Sequence, residues 1–159
     1  MDILDEEILG LWRSFLNQKL RYIMVGGFAV NLHGFMRTTG DMDIWIENTV
    51  ENRKKLRNSL IEMGIGDFPP LETMDFITGW SGIRLVSGIE LDVLTSLKGF
   101  EEEKFNECLQ MASIATIQEI PVPFLHLNHL IEEKTKTNRP KDQIDVLALE
   151  EIKKQREEN

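Results

Sequence analysis

The sequence predicts an α+β fold, with short strands and amphipathic helices interleaved along a chain of 159 residues. Three observations predict it. Tyr22 to Val25 is an apolar run of strand length that stops at the pair Gly26-Gly27. Asp41 to Glu47 and Ile89 to Leu94 alternate apolar residues with acidic ones, the pattern of half-buried strands. Ile8, Leu11, Trp12, Phe15 and Leu16 instead recur at helical spacing.

The elements follow in order. Ile3 to Leu20 is a helix carrying that apolar stripe. Tyr22 to Val25 is a buried strand, and Phe28 to His33 a short helix closed by Gly34. Asp41 to Glu47 is the second strand. Glu51 to Met63 reads as a surface helix with Leu56, Leu60 and Met63 inward and Gly64 ending it. Gly66 to Gly82 is loop-like around Pro69-Pro70. Arg84 to Val86 and Ile89 to Leu94 form a strand pair turning at Ser87-Gly88. Glu101 to Met111 is a charged helix whose acidic start suits the helix dipole. Ile114 to Ile117 and Ile120 to Val122 are short strands broken by Gln118-Glu119, and His126 to Lys136 and Pro140 to Lys153 are closing helices. Gln155 to Asn159 is expected to fray. The whole is one domain over 1–159: an N-terminal helix 3–20, a core 21–124 and closing helices 126–154.

Composition narrows the function classes. Hydrophobic content of 42% and charged content of 28% are those of a globular chain. No apolar run approaches the ~20 residues of a membrane helix. The acidic start Met1-Asp2-Ile3-Leu4-Asp5-Glu6-Glu7 is the reverse of a signal peptide. A single cysteine, Cys108, fits a reducing cytoplasm, and its place beside Leu109 on an amphipathic helix suits packing. A net charge of −9 argues against broad nucleic-acid binding, which runs on phosphate neutralisation by Lys and Arg. A small substrate or a metal-shielded triphosphate is the easier partner.

The chemistry gathers at carboxylates. Asp41 and Asp43, two apart on a strand, point the same way, and like charges that close need a compensating cation. Hard carboxylate oxygens favour magnesium. Asp92 shares a face with Glu90 while Ile89, Leu91 and Val93 turn to the core. If the strand of Asp92 pairs beside that of Asp41 and Asp43, the three aspartates form one patch able to hold two ions, Mg2+ or Mn2+. A calcium-loop reading fails, because the position needing glycine is Ile46 and the one needing glutamate is Asn52.

Gly26-Gly27, the following helix, Arg37-Thr38-Thr39 and Asp41-Met42-Asp43 together resemble the nucleotidyltransferase superfamily of the DNA polymerase beta type. The similarity is greatest to small bacterial proteins of the abortive-infection toxin type and to lincosamide-type antibiotic nucleotidyltransferases. Leu130-Ile131-Glu132-Glu133-Lys134 and Arg139-Pro140-Lys141-Asp142-Gln143-Ile144-Asp145-Val146 resemble the closing lysine and Arg-x-x-Asp-x-x-Asp region of those branches. The resemblance implies a mixed sheet with helices on one side and a nucleoside triphosphate at the glycine turn. It implies catalytic and metal-binding roles for Asp41, Asp43 and Asp92, with Asp92 drawing the proton from an acceptor hydroxyl. Gly26, Gly27, Arg37, Thr39 and Lys134 are the implied nucleotide-binding residues. Many members carry Gly-Ser at the turn. Gly27 here replaces that serine and removes one hydroxyl contact, while backbone N–H groups at a helix start still bind phosphate.

His33, Asp142 and Asp145 have both structural and site readings. His33 ends the first short helix and can cap or reach a ligand. Asp142 suits a helix first turn behind Pro140, whereas Asp145, a turn further on, is expected nearer the site. Lys134, at the edge of an apolar stripe, is by itself a snorkelling lysine. Trp45 shares the face of Asp41 and Asp43 and either lines the pocket or is buried. His126 and His129 share a helical face but have no third ligand for zinc. The leading expectation is a metal-dependent nucleotidyltransferase that moves a nucleoside monophosphate from a triphosphate to a hydroxyl of a small molecule. The alternatives are a toxin that modifies tRNA and pairs with an antitoxin protein, and a non-catalytic nucleotide-binding module; a homodimer is compatible with each.

Overall fold

The computed structural model describes residues 5–77 and 82–158. Ile3 and Leu4 of the expected first helix, residues 78–81 of the expected loop and Asn159 lie outside them. Among the described residues are six α-helices and six strands.

Helix α1 (Glu6–Gln18) starts where the Asp5 carboxylate accepts hydrogen bonds from the N–H groups of Glu7 and Ile8. It ends at Lys19, whose left-handed backbone closes the last turn. Most of the stripe read from the sequence is its buried face, with Ile8, Leu11, Trp12 and Phe15 fully enclosed, but Leu16, expected in it, is 46% exposed. Strand β1 (Tyr22–Val25) is buried along its whole length and runs directly into α2 (Gly26–His33), which Gly34 terminates at φ 117°. Strand β2 (Asp41–Ile46) and α3 (Val50–Glu62) follow, the latter capped by the Thr49 hydroxyl. Then come β3 (Gly82–Arg84), β4 (Glu90–Leu94), α4 (Phe105–Met111), β5 (Ser113–Ile117), β6 (Ile120–Phe124), α5 (Leu127–Thr137) and α6 (Pro140–Glu158).

The six strands form one mixed sheet in the order β3-β4-β2-β1-β6-β5. β1 pairs antiparallel with β2 and parallel with β6, and β2 pairs parallel with β4. Alternation along β2 and β4 sends Met42, Ile44, Leu91 and Val93 into the core. The opposite face carries the acidic side chains. Trp45, on that face, is fully buried and packs edge-on against Phe105. Of the two fates the sequence left open, burial is the one realised.

Four local differences from the sequence reading have physical causes. The expected loop after Gly64 contains a turn of 3-10 helix over Pro69–Glu72, started by prolines whose fixed φ suits a helical first turn. The β3–β4 hairpin sits lower than expected, its turn closed by the Leu85 N–H bonding to the Ile89 carbonyl. β6 continues through Pro121 and Pro123 to Phe124, and its pairing with β1 is confined to Met24 opposite Phe124. Proline cannot donate to a ladder, which is why a sequence reading stops such a strand early. At the C-terminus, α6 continues through the residues expected to fray as far as Glu158.

Candidate active site

The strand register gives the site its frame. Val25, the last residue of β1, lies opposite Asp43, and Asp43 lies beside Asp92 in the parallel β2–β4 pairing. Asp41 is likewise partnered with Glu90. The end of β1, Asp43 and Asp92 therefore stand in one line across three adjacent strands.

From Val25 the chain turns immediately. Gly26 has φ +64°, a conformation that disfavours any side chain. A Cβ there would also fall 2.2 Å from Asp43 Oδ2, so the aspartate rests on bare backbone. Gly27 faces a second group: a Cβ on it would lie 2.6 Å from Thr39 Oγ1 and 3.3 Å from Arg37 Nη1. No side chain caps the start of α2. Its first N–H groups are thus available to an anion, which the helix dipole also favours. The structure brings Gly26, Gly27, Arg37, Thr39 and Asp43 together at this turn.

The carboxylates repel one another. The Asp43 carboxyl is pushed up to about 6, chiefly by burial and then by the charges of Asp92 and Asp41, with Lys134 partly opposing. Burial, Glu90 and Asp41 also raise that of Asp92. Among the described residues, no three His, Cys, Asp or Glu side chains are gathered closely enough to hold a metal ion as they stand. Mutual repulsion favours such a spread. As a donor set the trio suits a divalent cation nonetheless: hard oxygens on neighbouring strands, with their charge only partly offset by Lys134.

The basic residues behave differently from free phosphate ligands. Arg37 forms a bidentate pair with Asp145, Nε to Oδ1 at 2.8 Å and Nη2 to Oδ2 at 2.9 Å, which leaves Nη1 toward the glycine turn. Lys134 is only 3% exposed and lies between Asp142 (3.3 Å) and Asp145 (3.2 Å). Arg139 clasps Asp142 through Nε at 2.6 Å and Nη2 at 3.1 Å. Burial pushes the Asp142 carboxyl up, but hydrogen bonds from Arg139 and Thr137 and the charge of Lys134 hold it well below the usual range. Three cations thus face two buried aspartates, and this cluster ties α5 and α6 to the segment behind the turn.

His33 is held by structural contacts at the end of α2. Its Nε2 donates to the Leu125 carbonyl at 2.7 Å, its backbone carbonyl accepts from Arg156, and burial lowers its affinity for a proton. His126 caps α5 by accepting from the Asn128 N–H. Cys108 is buried, its thiol pushed up to about 11 by burial first, as a packing residue would be.

Two acidic neighbours were not singled out from the sequence. Glu90 was visible by alternation but had no partner until the β2–β4 register set it beside Asp41. Glu133 has a buried Oε2 without a hydrogen-bond partner, and its charge adds to the field on Asp43. Within the run Glu132-Glu133-Lys134 nothing in the sequence distinguishes it from a solvated helix face.

Comparison of this architecture with solved structures finds close matches in outline. The lincosamide antibiotic adenylyltransferase LnuA, in its lincomycin-bound crystal structure, superposes with a TM-score of 0.60 over 96% of this chain and 99% of its own, at 15% identity. The chain has the nucleotidyltransferase fold. The antibiotic-resistance factor ANT(2'')-Ia in solution matches at a TM-score of 0.56 and 18% identity, over 90% of this chain and 80% of its own. An antigenic nucleotidyltransferase-like protein from Paracoccidioides brasiliensis matches at 0.53 and 18%, over 90% and 72%. By sequence, no family model and no curated protein matches. The mixed sheet that the resemblance implies is present in this chain as six strands in the order β3-β4-β2-β1-β6-β5. Among the described residues no helix is long and apolar enough to cross a membrane.

Proposed function

We propose that the protein is a nucleotidyltransferase, moving a nucleoside monophosphate from a nucleoside triphosphate to a hydroxyl of a small molecule. One observation carries the reading: Asp43 stands in register with Asp92 while its carboxylate lies on the bare backbone of Gly26. Carboxylates and an uncapped helix start placed together suit a metal-shielded triphosphate and little else.

Asp41, Asp43 and Asp92 are the residues that would hold divalent cations, magnesium or manganese. Such ions, when bound, neutralise the triphosphate and polarise the α-phosphoryl group. The N–H groups opening α2 and Nη1 of Arg37, held otherwise only by a long bond to the Thr38 carbonyl, orient the phosphates. Asp145 holds Arg37 in that pose. Lys134, enclosed by its aspartates, acts through its field and not by contact. Asp92 accepts the proton of the acceptor hydroxyl as that oxygen bonds to the α-phosphorus. The bond from the α-phosphorus to the bridging oxygen breaks in line, and pyrophosphate leaves.

The acidic balance of the chain and the pairing of its site cations favour a small acceptor over a phosphate backbone. ANT(2'')-Ia complexed with adenylyl-2''-tobramycin and LnuA with lincomycin point the same way, and both suit ATP as donor. The test incubates the protein and magnesium with each labelled triphosphate and a lincosamide, an aminoglycoside or tRNA. Label on a drug supports the reading, and label on tRNA moves the protein to the toxin class. Triphosphate binding with no transfer to any acceptor would leave a binding module.

A further inference from the structure

We infer that Thr39 supplies the side-chain hydroxyl of the phosphate-binding turn and that Gly27 is glycine because Thr39 already occupies its side-chain space; this rests on the triphosphate reading of the turn. A Cβ on Gly27 would stand 2.6 Å from Thr39 Oγ1 and 2.9 Å from Thr39 Cβ. The second contact is with an atom anchored to backbone, so it cannot be relieved by swinging a side-chain tip. Position 27 and the Thr39 side chain therefore exclude each other.

The hydroxyl is placed to serve a ligand. It donates to the Asp41 carbonyl at 3.3 Å, a long bond for an O–H donor and easily exchanged. Arg37 Nη1 approaches the same side of Gly27, within 3.3 Å of where its Cβ would be. Besides that approach it makes one long contact, to the Thr38 carbonyl at 3.3 Å. Its Nε and Nη2 are committed to Asp145. An anion at the opening of α2 thus meets backbone N–H groups, a guanidinium nitrogen and the Thr39 hydroxyl. The hydroxyl comes from the segment leading into β2 and not from the turn itself.

The consequence runs against intuition. A serine at position 27 adds a hydroxyl to the turn, yet it expels Thr39 and so weakens binding. Only when position 39 is emptied does the serine fit.

The test titrates the full chain with magnesium tripolyphosphate and with the magnesium salts of ATP, GTP, CTP and UTP by calorimetry. Thr39→Val, isosteric without the donor, should weaken binding about ten- to hundredfold, the worth of one hydrogen bond to a charged group, while Thr39→Ser stays near wild type. Gly27→Ser and Thr39→Gly should each bind weakly. The double variant G27S/T39G should recover to within about fivefold of wild type, and thermal melting of each variant shows that it is folded. Wild-type affinity in Thr39→Val overturns the inference, as does a double variant no better than folded Gly27→Ser. If the wild-type protein binds none of the five probes, the triphosphate reading itself fails, and this inference with it.

Discussion

Asp43 and Asp92 sit side by side on parallel strands, and the charge of Asp92 helps push the Asp43 carboxyl up to about 6 from an ordinary 3.8. The fold thus maintains a repulsion that Lys134 only partly offsets. Carboxyl groups shifted in this way by burial and a like-charged neighbour are the kind found at functional sites, and under the proposed function a divalent cation is what would offset them.

The repulsion has a pH signature. Asp43 is deprotonated above 3.8 in the unfolded chain but only above about 6 in the folded one. Between those values the folded state holds the extra proton, so stability falls as pH rises through the window. In metal-free protein the loss is up to about 3 kcal/mol by pH 7. Chemical denaturation in chelator at pH 4.5 and 7.5 measures it, and Asp43→Asn should remove most of the difference.

Magnesium should reverse that loss. At about 100-fold excess over its dissociation constant a ligand of the native state adds roughly 2.7 kcal/mol, or about 5–10 °C in melting temperature for a chain this size. The rise should appear at pH 7.5 in wild type and vanish in Asp43→Asn and in Asp92→Asn. Both variants should lose nucleotidyl transfer by at least about a thousandfold while melting no lower than wild type in chelator, since removing one of two like charges relieves strain. Near wild-type transfer by Asp43→Asn would remove the assignment.

Gly26 is constrained twice, by its φ of +64° and by Asp43 Oδ2 only 2.2 Å from any added Cβ. Gly26→Ala should cost roughly 1–3 kcal/mol in unfolding free energy and displace Asp43 from the line with Asp92, abolishing transfer. Gly64, at φ +75° but with open space around its missing Cβ, is the control: alanine there should cost stability and leave activity intact.

What the sequence disclosed and what it concealed divide along physical lines. β1, β2 and the helices α1, α2 and α3 were legible because their apolar periodicity and glycine stops are local properties. The site residues Gly26, Gly27, Asp41 and Asp43 lie within one short segment, and local pattern sufficed to group them. The position of Asp92 beside Asp43 depends on β2–β4 pairing, a contact between strands far apart in sequence, and only the registered sheet supplies it. Burial of Lys134 between Asp142 and Asp145 was equally hidden, because an apolar stripe ending in a charge reads the same whether the charge snorkels or is enclosed. Glu133 is the extreme case, a carboxylate whose environment is set entirely by packing.

The enclosure of Lys134 makes Asp145 the residue on which this part of the fold turns. Its carboxylate, fully buried, receives Arg37 in bidentate fashion and Lys134 at 3.2 Å. Removing a charge from such a pair leaves the partner buried and unmatched, which costs about 3–5 kcal/mol. Asp145→Ala should lose that much in chemical denaturation. Asp145→Asn keeps the shape and one acceptor, so it should lose less, while freeing Arg37 from its fixed pose. The two roles then separate in kinetics: in folded Asp145→Asn, KM for the triphosphate should rise about tenfold or more, and Arg37→Lys, which keeps charge but not the fork, should behave alike. A variant that loses stability yet keeps KM would show that Asp145 serves folding alone.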